Sequence, residues 1–163
     1  MKKRLFAVLL AVLMIASLST VSAFATGETP ITADMTTLSS GSYILNNDVT
    51  LTSGALTIPS GANVTINLNG HKLTNADDYD TISVKIGGTL TVNGTGTVDN
   101  VSHARAAVYN NGTVTLNGGT YDRSLENGSD EESSGGNSWY TICNHGTLTI
   151  NNGVSVTTAG GSD

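Results

Sequence analysis

Few side chains in this 163-residue chain carry reactive chemistry, and they fall into four small groups. Asp99, Asp122 and Arg123 supply two carboxylates and a cation, the stock from which an acid–base pair with a charge-stabilised transition state is built. Asp77, Asp78 and Asp80 crowd the string NADDYD and offer oxygen ligands of the kind calcium takes. Trp139 and Tyr140 are the densest aromatic pair, with ring faces able to stack on sugars. Cys143 is the single cysteine, and the histidines are His71, His103 and His145.

Each group meets a chemical requirement only in part. A glycan hydrolase needs two carboxylates about 5–10 Å apart on one face, and a lyase needs an acidic metal cage beside a basic Arg or Lys. Asp99, Asp122 and Arg123 are the catalytic candidates, without a full set of acid, base and metal ligands around them. NADDYD lacks the glycine-punctuated ligand spacing of a calcium loop and reads as a solvated loop, so no metal and no cofactor is expected. No histidine–acid pattern accompanies Cys143, which reads as an exposed thiol without a nucleophilic role. The histidines sit at unrelated spacings, which argues against a shared metal. Trp139 and Tyr140 are the ligand-binding candidates, although the register of Tyr140 with Ile82 and Ala106 favours packing at the base of the loop that precedes it.

The elements that hold these groups are legible from a repeat. Asn69-Gly70, Asn93-Gly94 and Asn117-Gly118 recur every 24 residues, and Asn151-Asn152 follows after 34. Around them the chain reads VTINLNGHKLTN, GTLTVNGTGTVDN, GTVTLNGGTYDRS and GTLTINNGVSVTT, a recurrence that implies stacked units. Val64, Ile66 and Leu68 alternate with polar residues, as do Leu90 and Val92, Val114 and Leu116, and Leu148 and Ile150. Period two with β-branched residues is a strand with one buried face. A second strand precedes each of the last three, and Gly87-Gly88, Asn111-Gly112 or His145-Gly146 joins the pair. Beyond the first residues no 3.6 period appears, so helix content should be near zero.

A sandwich gives no reason to repeat one apolar residue type at one offset, whereas a solenoid stacks each residue on its counterpart one coil below, at about 4.8 Å. The expected fold is all-β, a right-handed parallel β-helix of about four coils with a 24-residue repeat. Its expected inward columns are Val84, Val108 and Ile142; Leu90, Val114 and Leu148; and Val92, Leu116 and Ile150. Asn69, Asn93, Asn117 and Asn151 should form an amide ladder at one corner, with Asn110 and Asn144 at another. The same register places Asp99 beneath Arg123, as an exposed ion pair worth at most about 1 kcal/mol.

Residues 1–25 read as a secretory signal peptide, with basic Met1-Lys2-Lys3-Arg4, an apolar run from Leu5 to Leu18 and Ala23-Phe24-Ala25 at the cleavage site. Segment 26–50 reads as an N-terminal cap and 51–163 as β-helix repeats, interrupted by an acidic Gly/Ser loop at 124–137. Without the leader, Lys72, Lys85, Arg105 and Arg123 stand against 13 acidic residues, a net charge of −9. That charge argues against nucleic-acid partners, and no later stretch is apolar enough to insert in a membrane after cleavage.

LTIPSGANVTINLNGHKLTN, GGTLTVNGTGTVDN and AVYNNGTVTLNGGTYD resemble right-handed parallel β-helix repeats of exported and surface proteins of Gram-positive bacteria. The resemblance covers about Gly41 to Ala159 and implies the pectate-lyase-like superfamily fold, which hosts polysaccharide lyases and hydrolases beside adhesive and structural members. Together with the poverty of charged clusters, it gives the expectation of a secreted or cell-wall-associated, non-catalytic module that displays loops for adhesion, with glycan or a host or cell-wall surface as partner. The alternative it leaves open is a fragment of a carbohydrate-active enzyme. Thr157 to Asp163 shows no polar cap, so the expected open end would meet the remainder of a longer chain or a second copy.

Overall fold

Alternation of apolar and polar residues gives strands two to five residues long, and tight polar corners bend the chain between them. The computed structural model describes residues 27–102, 105–125 and 140–158; within them all regular structure is strand. The chain opens with β1 (Glu28–Pro30), β2 (Gly41–Ile44) and β3 (Val49–Leu51). Strand triplets then repeat: β4 (Leu56–Ile58), β5 (Asn63–Asn67) and β6 (Lys72–Asn75), followed by β7 (Ile82–Val84), β8 (Thr89–Asn93) and β9 (Thr97–Asn100). β10 (Val108–Asn110), β11 (Thr113–Leu116) and β12 (Thr120–Asp122) come next, then β13 (Ile142–Asn144), β14 (Thr147–Ile150) and β15 (Ser155–Val156).

Every strand pairs in parallel with its counterpart one coil away, so three sheets wind together as a parallel β-solenoid of about three turns. The sheets run β1-β2-β5-β8-β11-β14, β13-β10-β7-β4 and β15-β12-β9-β6-β3. The first three strands already belong to them: β1 and β2 extend the six-stranded sheet, and β3 begins the five-stranded one. Between β1 and β2, Ile31 and Leu38 are buried against the core.

The core is a stack of like on like. Val64, Leu90, Val114 and Leu148 form one column and Ile66, Val92, Leu116 and Ile150 the next, as the alternation requires. The first three members of each column are fully buried, and at about 1.5–3 kcal/mol apiece such side chains are what offsets chain ordering.

The uniform 24-residue register does not hold around the whole coil. Along the four-stranded sheet Leu56 pairs with Ile82, Ile82 with Val108 and Val108 with Ile142, in steps of 26, 26 and 34 residues. The expected column Val84, Val108 and Ile142 is therefore corrected to Ile82, Val108 and Ile142, and Val84 pairs with Asn110. The amide ladder shifts for the same reason: Asn93 pairs with Asn67, not Asn69. Asn69 lies two residues further on in left-handed backbone, at φ 50°, with its Nδ2 donating to the Leu45 carbonyl at 3.1 Å. Corner length is the cause. Five residues lie between Asn67 and Leu73, four between Asn93 and Val98 and three between Asn117 and Tyr121, and Leu73, Val98 and Tyr121 share one column. Aligning the Asn-Gly text hides that difference.

Above the corrected start the ladder forms. Asn117 Nδ2 donates to Asn93 Oδ1 at 2.8 Å, and Asn151 Nδ2 donates to Asn117 Oδ1 at 2.6 Å. Asn110 Nδ2 donates to Asn144 Oδ1 at 2.7 Å on the second expected stack. At the intervening corner a Cβ on Gly112 would strike the Gly88 carbonyl oxygen, and one on Gly146 would strike that of Gly112, so this column admits only glycine.

Candidate functional site

Asn75 and Asn100 build the site from inside the wall. Both are buried, in register with each other at the ends of β6 and β9. Their amides satisfy the backbone of the loop that follows β6: Asn75 Oδ1 accepts the Asp77 N–H at 2.8 Å, and Asn75 Nδ2 donates to the carbonyls of Gly54 at 3.0 Å and Asp80 at 3.2 Å. Asn100 Nδ2 donates to the Tyr79 carbonyl at 2.9 Å and to Ala106 at 3.2 Å. Buried amides bonded this fully fix a loop's path, because leaving a partner unmade costs about 1–3 kcal/mol.

At the loop tip Asp78 takes left-handed backbone, φ 62°, and its N–H donates to Ser102 Oγ at 3.0 Å. Arg105, 27 residues on, returns beside it, and the Arg105 Nε to Asp78 Oδ1 contact is 3.0 Å. Asp80, half-buried, accepts the Ala106 N–H at 2.9 Å. Burial pushes the Asp80 carboxyl above the usual carboxylate range, against the Ala106 bond, Arg105 and Lys85, which pull it down. Asp78 in turn holds the Arg105 guanidinium charged.

Loop and sheet enclose a groove of about 470 Å³. Its floor is the outward side of the four-stranded sheet, Thr57 and Ser83, with Lys85 Nζ donating to Ser83 Oγ at 3.0 Å. Asp78, Tyr79, Asp80 and Arg105 make one wall; Thr36, Thr37 and residues 53–55 make the other. The Tyr79 ring is 56% exposed at the rim. Two carboxylates, two cations, several hydroxyls and one open ring line the groove together, a mixture of donors and acceptors that can orient a small polar ligand.

The candidates read from sequence lie elsewhere. Asp99 and Asp122 pair across β9 and β12, but Asp99 is no exposed partner of Arg123. It is fully buried, 2.6 Å from Lys72 Nζ, and accepts Ser124 N–H at 2.9 Å and Ser124 Oγ–H at 2.5 Å. Burial alone would raise its carboxyl; Lys72 and Ser124 outweigh that and hold it below the usual range. Arg123 is buried, 3% exposed, on the inward side one residue beyond Asp122. Asp99 and Arg123 are thus enclosed in the wall, whereas Asp122 is half-buried and accepts the Arg123 N–H at 2.9 Å.

Tyr140 is 63% exposed, so the expected packing role is corrected; Trp139 lies outside the described residues. Cys143 pairs with Tyr109 as the outward column requires, yet it is only 9% exposed, with Sγ 3.4 Å from His145 Nε2. His145 takes the Asn111 position: its N–H donates to the Asn110 carbonyl as the Asn111 N–H donates to Val84. His103 lies outside the described residues. Among the described residues no three of His, Cys, Asp and Glu gather as a metal-holding set. The NADDYD loop, read as solvated, is exposed from Ala76 to Tyr79 and is also tied down at Asp77, Asp78 and Asp80. A 26-residue step would have placed Arg105 over Tyr79 and found the groove from sequence.

Comparison with known protein families, with curated proteins and with solved structures gives no match.

Proposed function

We propose that this protein is a secreted β-solenoid module that contacts glycan without cleaving it, and that the groove beside Asp78, Tyr79 and Arg105 is where contact is made. The observation that carries this reading is the pairing of an exposed tyrosine ring with pre-formed ionic and hydroxyl groups in one groove. A sugar presents an apolar ring face for Tyr79 and hydroxyls that both donate and accept, which the Asp78–Arg105 pair and Ser83 can meet without rearrangement. Secretion is supported by the basic and apolar leader, and adhesion by a scaffold that carries loops of unequal length between its strands. The finer assignment, a right-handed β-helix of the pectate-lyase-like kind from Gram-positive surface proteins, belongs to this proposal and rests on the repeat strings.

One observation favours the enzymatic alternative: Asp80 is pushed toward its protonated form while Asp78 sits beside a cation, the division between acid and carboxylate that hydrolases use. The test is a titration of the purified protein with neutral and uronate oligosaccharides, followed by NMR and by reducing-end release. Binding with a dissociation constant of about 1 mM, centred on Tyr79 and lost in Tyr79→Ala and Arg105→Ala, is the expected result. Sugar release that disappears in Asp80→Asn replaces the binding module by the enzyme, and silence at the groove removes both.

A further inference from the structure

The outer face of the six-stranded sheet differs from the other two. Outside the five-stranded sheet stand Lys72, Asp99 and Asp122, and outside the four-stranded sheet stands Lys85. From β5 to β14 the six-stranded sheet turns outward no charged and no aromatic side chain. Its middle column is Thr65, Thr91, Thr115 and Thr149, in unbroken parallel register. Beside it run Thr89, Thr113 and Thr147 on one side and the bonded amides of Asn93, Asn117 and Asn151 on the other. Among the described residues no protein hydrogen bond engages the hydroxyls of these threonines, whereas Thr81 and Thr141, at the corners, turn theirs onto the carbonyls of Asp99 and Thr157.

The result is a two-dimensional net of hydroxyl and methyl groups, repeating at about 4.8 Å from strand to strand and about 6.6 Å between alternate residues of one strand. Threonine suits such a net because its branched Cβ restricts χ1, so hydroxyl and methyl stay at fixed positions. Water held at each hydroxyl and ordered around each methyl then repeats on the same net. Oxygen positions on the prism faces of ice also form a rectangular net, whose short edge is close to the strand spacing and whose long edge is somewhat longer than the step between alternate residues. Charged side chains would spoil the match by holding strongly hydrated shells of their own, and none is present. A crystalline polysaccharide would call for a row of aromatic platforms, which this face lacks.

We propose that the threonine–asparagine face of the six-stranded sheet binds ice, through the ladders Thr65–Thr91–Thr115–Thr149 and Thr89–Thr113–Thr147. This face is separate from the groove, so either reading stands or falls alone. The purified protein is cooled with a single ice crystal, and thermal hysteresis, crystal shape and recrystallisation in a frozen film are measured. Faceted crystals and a hysteresis gap are expected for the parent and for Leu125→Ala, whose exposed side chain lies beyond β12, outside both the face and the groove. In the doubly substituted Thr91→Lys, Thr115→Lys protein the gap falls to the buffer value, with circular dichroism and urea midpoint reporting whether the fold is kept. The gentler pair Thr91→Ser, Thr115→Ser keeps the hydroxyls and frees their rotamers, and several-fold weaker hysteresis is expected. No hysteresis in the folded parent, undiminished hysteresis in the folded lysine or serine pair, or retention on crystalline cellulose or chitin without any effect on ice overturns the proposal.

Discussion

Asp99 is an outward-facing carboxylate that water does not reach, and its partners decide its worth. Lys72 and Ser124 give it charge-assisted bonds, each class worth about 1.5–3 kcal/mol. Asp99→Asn should therefore lower stability at pH 7 by about 1.5–3 kcal/mol in urea unfolding. Because the folded carboxyl lies below its unfolded value, the parent's advantage is present above the unfolded pKa and fades as pH falls through the folded one; parent and variant should converge in acid. Asp80 has the opposite sign. Its carboxyl lies above the unfolded value, so the contribution it makes is present in acid and lost as pH rises through the folded pKa. Asp80→Asn retains an acceptor for Ala106 and removes a half-buried charge, so it should leave stability at pH 7 unchanged or raised, a gain that disappears in acid.

At the scale of elements, the solenoid depends on columns in which each residue serves its neighbours above and below. Leu116 lies between Val92 and Ile150, fully buried, and Leu116→Ala should cost about 2–5 kcal/mol by removing volume that a stacked wall cannot close. Asn117 lies in the same coil but on the outer corner, bridging Asn93 and Asn151. Two amide bonds in contact with solvent are worth less, and Asn117→Ala should cost about 1 kcal/mol. Gly112→Ala reverses the usual ranking of a small change. Its methyl meets the Gly88 carbonyl beneath, so the variant must pry two coils apart and should fall at least as far as Leu116→Ala in thermal unfolding.

Across the molecule, each coil touches only its neighbours, so stability should vary along the axis. β5, β8 and β11 have a paired strand on both sides, whereas β13, β14 and β15 have one. Ile150 is 49% exposed and Val156 46%, while Val92 and Leu116 are fully buried. Hydrogen exchange should accordingly be slowest for the amides of β8 and fastest for those of β14 and β15, with a graded profile between. A single uniform exchange rate across all three would show one cooperative block in place of a stack.

Strand alternation and repeated strings determined, without any coordinates, that the chain is all-β and that like residues stack in a parallel solenoid. Those signals are local: a strand's period and a glycine at a corner need no knowledge of what lies opposite. The columns through Leu90 and Val92 were legible because that sheet keeps the 24-residue step between β8 and β11. What only the tertiary structure decided is the length of each corner, and therefore which residue lies over which around the rest of the coil. Asp99 came to lie beside Lys72, Asn93 over Asn67 and Arg105 beside Asp78 because corners of three to five residues absorb the differences in spacing. A corner's length is set by how well its apolar neighbours fill the bend, as Leu68 does against Gly96 and Gly119, and that packing is a three-dimensional quantity no one-dimensional repeat records.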